Sequence, residues 1–585
     1  MSSNTARDQA QALVHQGWNH LMSQRPLAAW GTWQQALRLD GESAAAHQAL
    51  ATLEAAPDLP AAARKAYRFR KPADDARGRW DDVLRHRDTA QVEDAARAFE
   101  AIVRDDPEDA AAWFNRALCL AWSGSDREAI SCLDEVVGLL ADEESAAGVE
   151  AWTLAEVLRQ GGGAESLADD LRFACNFAWH HDDTPRLEAT YPELRRIPTP
   201  IDPTGSNGHP RELEVLEWLD RALPAADRIA GESDLPRVLA TVYITPGSLR
   251  LSSPRVESLE VAEERLRKML GPDVQPIERL AAPLPLPFLD ADVWTARMPE
   301  GLDPELVHRL SREIVESYYE NHWIHKPRQG LDGLSPLAAS EAARRGDAAA
   351  RVKVEAVILL REQLGARSSA AAMYQGYPFD RLRHRLGLEP THAGSVEADD
   401  LTCAPLATLQ ALAAEGLEDS RLSDAFRSAA GFRDDALTTR FAAELARRGT
   451  PELTRLELTT VFAPLVRQAM GRSDPAEALS WLDQARVLAS DASRRDFDTW
   501  RAEILSRTGK SEEAARIYED LVATAPAPHL AALDAAETFL DNGHHEQARD
   551  FLHRALDLAR RDRIPGVEDL ANRHLNTLSR NGHGF

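Results

Sequence analysis

Residues 502–555 read AEILSRTGKSEEAARIYEDLVATAPAPHLAALDAAETFLDNGHHEQARDFLHRA. Ala502 and Ala536 stand 34 residues apart, and so do Gly509 and Gly543, Ala514 and Ala548, and the large residues Tyr518 and Leu552. A fixed period of this length, with small residues where helices cross and a glycine between them, is the pattern of stacked helix–turn–helix units. Each unit buries its apolar face only against its neighbours.

The same register returns near the other end of the chain. Ala95 and Ala129 are again 34 residues apart, and Gly124 precedes Ala129 as Gly509 precedes Ala514 and Gly543 precedes Ala548. Pro107 closes one helix pair there, and Trp113 opens the next with Ala117 on its inner face. A further unit is expected around HQGWNHLMSQRPLAAWGTWQQALRLD, with Gly17 at a close approach, Ala29 at the crossing, and Trp33 and Ala36 in the seam. Apolar residues at i, i+3, i+4 and i+7 predict helix on through 146–180, broken at Gly161-Gly162-Gly163.

Composition changes near residue 185. Ile197–Pro210 (IPTPIDPTGSNGHP) reads as a linker, and ELEVLEWLDRAL after it as a helix. VLATVYI at 238–244 is a strand signal, Thr245-Pro246-Gly247 a turn and SLRLSSP the return strand. The helix ESLEVAEERLRKML and a candidate strand near 276–282 complete a β-β-α-β unit, and PLPLPFLD at 283–290 is too proline-rich for a central strand. The expected organisation is N-terminal helical repeats over 1–185, a small α+β domain over 190–300, a helical extension over 301–392 and C-terminal repeats over 395–585.

The repeated positions resemble the tetratricopeptide repeat. Gly17, Ala117, Ala502 and Ala536 match its first small position, and Ala29, Ala129, Ala514 and Ala548 its alanine between the helices. Trp33, Leu133, Tyr518 and Leu552 match its large apolar position. The resemblance implies a mainly α scaffold, of bacterial type, that binds a peptide or protein on concave helical faces. It departs from the signature at Leu521, where alanine is usual. A second, local resemblance covers 318–364, where Trp323, Pro327, Leu331-Asp332-Gly333 and Ser335-Pro336 look like the toxin-binding element of some bacterial antitoxins. Ordinary punctuation explains much of it: Asp332-Gly333 is a turn, Ser335 an N-cap and Pro336 a first helical residue.

The formal net charge is −26, from 94 acidic and 68 basic side chains, which argues against phosphate backbones and anionic membrane surfaces as partners. Only six of the basic residues are lysine, which with the alanine-rich helices suggests a GC-rich coding genome. Cys119, Cys132, Cys175 and Cys403 form no CxxC pair and read as buried reduced thiols. The N-terminal MSSNTARDQAQAL has no apolar core of a leader, and no 18-residue apolar run occurs, so a soluble cytoplasmic protein is expected.

Little in the chain points to chemistry. Gly509-Lys510-Ser511 lacks the earlier glycine of a phosphate loop and follows no strand. His180-His181-Asp182-Asp183 cannot converge on one ion without partners elsewhere. His322 and His325 flank Trp323 at a corner. No GxSxG or GxGxxG stands in the right context, and no cofactor or metal is implied. The densest aromatic group is Tyr318, Tyr319, Trp323, Met373, Tyr374, Tyr377 and Phe379, either core or a recognition pocket. Asn115 occupies a helix position used in clamps for acidic C-terminal tails, but the N-terminal array has almost no lysine to complete one.

The reading is therefore a non-enzymatic interaction scaffold, with Asn115, Tyr318, Tyr319 and Trp323 as candidate partner contacts. The alternative is an enzyme or a toxin-binding regulatory module in the central α+β region, with the repeats recruiting substrate or partner.

Overall fold

The computed structural model describes residues 3–71, 92–141, 145–180, 183–198, 213–271, 274–392, 394, 397, 399–449, 451, 453, 456–562 and 564–581. Among the described residues, eight helices come first: α1 (Ser3–Met22), α2 (Pro26–Leu39), α3 (Ala44–Glu54), α4 (Ala61–Arg64), α5 (Val92–Asp105), α6 (Ala110–Ser123), α7 (Asp126–Leu140) and α8 (Ser145–Arg159). The middle holds β1 (Leu171–Ala178), α9 (Thr184–Thr190), β2 (Leu194–Arg196), β3 (Glu214–Leu219), β4 (Val238–Thr245), β5 (Ser248–Ser253), α10 (Val256–Leu270) and β6 (Glu278–Pro283). Helices α11 (Pro304–Ser317), α12 (Pro336–Arg344), α13 (Ala348–Gly365), α14 (Ala371–Tyr374) and α15 (Asp380–Arg385) follow. The last stretch comprises α16 (Leu406–Ala411), α17 (Asp419–Gly431), α18 (Asp435–Arg448), α19 (Leu458–Gly471), α20 (Pro475–Leu488), α21 (Asp491–Arg507), α22 (Ser511–Thr524), α23 (Pro528–Asp541), α24 (His545–Asp562) and α25 (Pro565–Asn581).

The fold is mainly α, with one small antiparallel sheet. Its contacts divide it into two compact units. One holds Met1–Arg172, Ala281–Thr295 and Leu302–Ala398; the other holds Phe173–Leu280, Ala296–Gly301 and Asp399–Phe585.

The sequence period is written into the backbone as one repeated turn. Gly124, Gly509 and Gly543 adopt φ of +85°, +82° and +75°. In each case the next amide donates back to a carbonyl in the last helical turn: Ser125 to Leu120 at 2.8 Å, Lys510 to Leu505 at 2.9 Å and His544 to Phe539 at 2.8 Å. This closes orphan carbonyls at the helix end and reverses the chain into the next helix. Asp474 makes the same bond to Ala469 at 2.9 Å, although the left-handed residue before it is Ser473, at +59°.

Between the turns the small residues let helices meet. Ala502, Ala514, Ala536 and Ala548 are fully buried among Tyr518, Phe539 and Phe551 in the second unit. In the first unit Ala95, Ala117, Ala129 and Ala29 are equally buried. The Trp33 indole lies directly over Gly17, where any side chain would strike it, and its Nε1 donates to the Val14 carbonyl at 3.1 Å. Trp113 is only half-buried and donates to the Pro107 carbonyl at 2.9 Å.

The sheet runs β2-β3-β4-β5-β1-β6, and β1 to β5 pair antiparallel where their registers are defined. Two of its strands correct the sequence reading. The expected helix ELEVLEWLDRAL is β3, paired with β4 from Glu214↔Ile244 to Leu219↔Val238. Its apolar run of Val215, Leu216, Trp218 and Leu219 is buried on both faces and too short for a packed helix, and the buried Glu217 is matched by Arg297. The helix expected through 146–180 stops at Arg159, and Leu171–Ala178 is β1. There Cys175 and Phe177 alternate into the core, a period of two that the helical count obscured. The linker proposed at Ile197–Pro210 falls from residue 199 onward outside the described residues.

Leu259, Ala262, Leu266 and Met269 of α10 cover the sheet and join Trp218, Val242 and Leu251 in one core. In the same unit α10 also packs on the C-terminal helices. Gly566, at the start of α25, lies against the Lys268 and Met269 backbone, and Lys268 Nζ reaches Asp534 of α23 at 3.3 Å.

Candidate functional site

Three places concentrate aromatic and charged side chains. The first is in the first unit, where α11 ends in a π-helical turn, Tyr318–His322, followed by a tight turn over Trp323–His325. The wide turn swings Tyr318 and Tyr319 inward. Tyr319 lies 5.8 Å from Trp323, 5.9 Å from Tyr377 and 5.1 Å from Phe379 between ring centroids. Tyr318, Tyr319, Trp323, Tyr374, Tyr377 and Phe379 are all buried, while Met373 is partly exposed. The aromatic group is core, and these candidate contacts present no surface to a partner.

A sealed charge network lies beneath it. The Arg328 guanidinium, fully enclosed, pairs with Asp170 at 2.8 Å and stands 3.6 Å from both Asp169 and Glu156. Arg361 meets the same Asp170 carboxylate. Tyr318 donates to Asp292 at 3.2 Å, Tyr374 to Asp290 at 3.1 Å and Arg367 to Asp290 at 2.6 Å. Burial works against ionisation of Asp170, but Arg328, Arg361 and Lys326 outweigh it and hold the carboxyl far below its ordinary value. Burial and then the Asp169 charge push Glu156 up. Perturbed groups of this kind mark either active sites or structural ion networks. Enclosure on every side favours the second, because substrate has no approach to Arg328 or Glu156.

Asn115, the fourth candidate contact, is also buried, on α6, and its amide is fully engaged by a neighbouring stretch of the same chain.

The third place is open. In the second unit α19 lines two adjoining cavities, of about 390 and 320 Å³, that share Ala463, Arg467 and Trp500; Ala430, Arg433, Asp435 and Thr438 complete the first, and α21 the second. Along α21 the lining residues are Trp500, Glu503, Ile504 and Arg507, at i, i+3, i+4 and i+7. This is a second face of the helix, distinct from the seam that buries Ala502 and Leu505. Trp500 is half-buried, its ring 5.6 Å edge-to-face from the buried Phe497, which stands 6.2 Å from Phe462. An aromatic ladder thus braces the indole from behind and leaves its outer face to the groove. Arg467 and Arg507 are exposed at the rim. Arg467 reaches Asp435 at 3.4 Å, whereas Arg433 and Arg507 make no ion pair among the described residues. Burial pushes the Glu503 carboxyl up, and Arg507 offsets part of the rise.

Sequence reasoning passed over this groove because it counted only the seam. The available signal was a tryptophan, isoleucine and methionine stripe on α19 and α21 beyond what the core needs. Gly509-Lys510-Ser511 lies in the turn between α21 and α22. Of His180-His181-Asp182-Asp183, the middle two residues lie outside the described ones. All four cysteines are buried and unbridged, and burial raises the thiols of Cys132 and Cys175 to about 11 and about 12. No group of three or more His, Cys, Asp or Glu among the described residues is placed to hold a metal ion. No helix among them is long and apolar enough to cross a membrane.

Residues 81–144 and 501–563 match the tetratricopeptide repeat family. The matched stretches contain Ala95, Ala117 and Ala129 and Ala502, Ala514, Ala536 and Ala548, but not the unit around Gly17, Ala29 and Trp33. They do not reach 318–364, so the antitoxin resemblance gains no support. No curated protein matches the sequence. Similar solved structures include the TPR domain of P58(IPK), 15% identical over 86% of this chain and 99% of that one, with a TM-score of 0.20. The APC/C hetero-tetramer Cut9-Hcn1 is 13% identical over 98% of this chain and 96% of that one, also at 0.20. At such scores neither likeness carries an argument.

Proposed function

Because the chain carries tetratricopeptide repeats in two separate stretches, we propose that it is a non-enzymatic scaffold whose α19–α21 groove binds a segment of a protein partner. The observation that carries this reading is Trp500. It is a large, rigid side chain braced by Phe497, partly exposed in a cavity and flanked by arginines. Tryptophan and arginine with this surround are the residues that dominate binding energy at protein interfaces. The groove offers a hydrophobic floor of Ala463, Val466, Met470 and Ile504 and a charged rim. It has no convergent nucleophile and base, so recognition suits it better than catalysis.

The test is site-specific photo-crosslinking of the full-length protein in its native cells, with the photoreactive residue at Thr460 or Met470. Discrete adducts that vanish on Trp500→Ala, while a probe at Asp557 gives none, support the groove. Adducts indifferent to Trp500→Ala would sink it.

A further inference from the structure

A stretch of the first unit that belongs to no helix or strand is held as a bound peptide would be. After α4 the chain runs without regular structure through Lys65, Ala66, Tyr67, Arg68, Phe69, Arg70 and Lys71. Its main grip is one side chain. The Arg70 amide donates to Asn115 Oδ1 at 2.7 Å, and Asn115 Nδ2 donates to the Arg70 carbonyl at 2.6 Å. An amide side chain that satisfies the donor and acceptor of one residue reads extended backbone, as a neighbouring strand would. Asn115 is fully buried, and its amide is satisfied by the backbone of Arg70.

The side chains of the stretch alternate. Tyr67 turns in against Phe114 at 6.3 Å between centroids, and Phe69 enters a pocket between Phe99 at 5.2 Å and Trp122 at 5.5 Å. Arg68 between them is exposed. The Arg70 guanidinium lies 3.5 Å from the centre of the Phe114 ring and pairs with Glu150 of α8 at 2.5 Å. Lys65 meets the other Glu150 oxygen. Burial opposes ionisation of Glu150, but Lys65 and Arg70 outweigh it and keep the carboxyl below its ordinary value. The site therefore combines a backbone reader, two aromatic pockets and a carboxylate. Its charge is opposite to that of the clamp for acidic tails considered from the sequence.

We infer that the groove between α5, α6 and α8 is a binding site for an extended basic peptide of the form aromatic–any–aromatic–arginine. Lys65–Lys71 occupies it in cis as an exchangeable stand-in, and a partner carrying the same pattern takes its place. The inference rests on reading the chain as an interaction scaffold, but it concerns a different groove, so the outcome at Trp500 does not decide it.

The experiment uses the full-length protein and a fluorescein-labelled peptide of sequence KAYRFRK, followed by fluorescence anisotropy. In the Phe69→Ser/Arg70→Glu variant the internal segment no longer competes, and the peptide should bind. Wild type should bind about tenfold or more weakly, since affinity scales with the fraction of grooves left open. A peptide with the same two substitutions should bind neither protein. Equal binding to variant and wild type, binding of the substituted peptide, or no binding to a variant that keeps the wild-type circular dichroism and melting curve would each overturn the inference. Should the double variant fail to fold, Arg70→Ala is measured in its place. Failure of both to fold would make the stretch a structural strut and overturn exchange.

Discussion

The Arg328 network and the Trp500 groove are made of the same materials. Each sets arginines and carboxylates beside aromatic rings on helices. In the first, Arg328 is wholly enclosed and shared among Asp170, Asp169 and Glu156. In the second, Arg467 and Arg507 stand in solvent beside a half-covered indole. Enclosure, more than residue type, separates a structural site from a surface able to bind. Charged groups taken out of water must satisfy each other, and those left in water are free to be satisfied by something else.

Substitutions should split along that line. The largest effect is expected at Arg328→Ala, which leaves three buried carboxyls without their shared cation. A loss of about 3–5 kcal/mol in urea unfolding is expected. A change below ~1 kcal/mol would mean the network is hydrated and the contrast with the groove is false.

Next is Asp170→Asn. The folded-state value of Asp170 lies far below its unfolded value, so its contribution is fully present above about pH 4 and is lost as pH falls toward the folded value. At pH 7 the variant should be less stable by about 2–3 kcal/mol, and its stability should fall less steeply than wild type between roughly pH 4 and 2. Denaturant melts across that range check the sign.

A third pair concerns the turns that space the helices. Gly509→Ala forces a side chain into φ +82° and should cost about 1 kcal/mol, whereas Ser473→Gly relieves +59° and should gain up to about 1 kcal/mol. The smallest change in stability is expected at the groove rim. Arg467→Ala and Arg507→Ala should each alter unfolding by less than about 0.5 kcal/mol while weakening the crosslinks described above. A large stability loss there would make these arginines structural and erase the distinction.

The repeats were legible because their turn is chemically expensive for anything but glycine. Gly124, Gly509 and Gly543 report it directly in the sequence. The turn at Ser473 has the same geometry and no glycine, so the pairing of α19 with α20 is legible only from the spacing of Ala478, Leu482 and Ala485, all of them buried. The strands β4 and β5 were legible from alternation and a Pro-Gly turn. β3 was misread because burial on both faces removes the alternation, leaving an apolar run that suits either structure. Among the candidate contacts, Tyr318, Tyr319 and Trp323 stood out by aromatic density, which is as much a property of cores as of interfaces. Asn115 was noticed for its place on a helix, but its partner, the unpatterned stretch around Arg70, carries no period to find. Trp500 was hidden by the adjacent signature residue Ala502.

The seat of Gly566 on the Lys268 and Met269 backbone bears on how this protein can be trimmed. Repeat arrays generally tolerate gain or loss of whole units at their ends, since each unit touches only its neighbours. Here the terminal helix also roofs α10 of the sheet module. Deleting 565–581 would strip that cover from α10. Loss of α25 should therefore be felt in the sheet module as well as in the repeats.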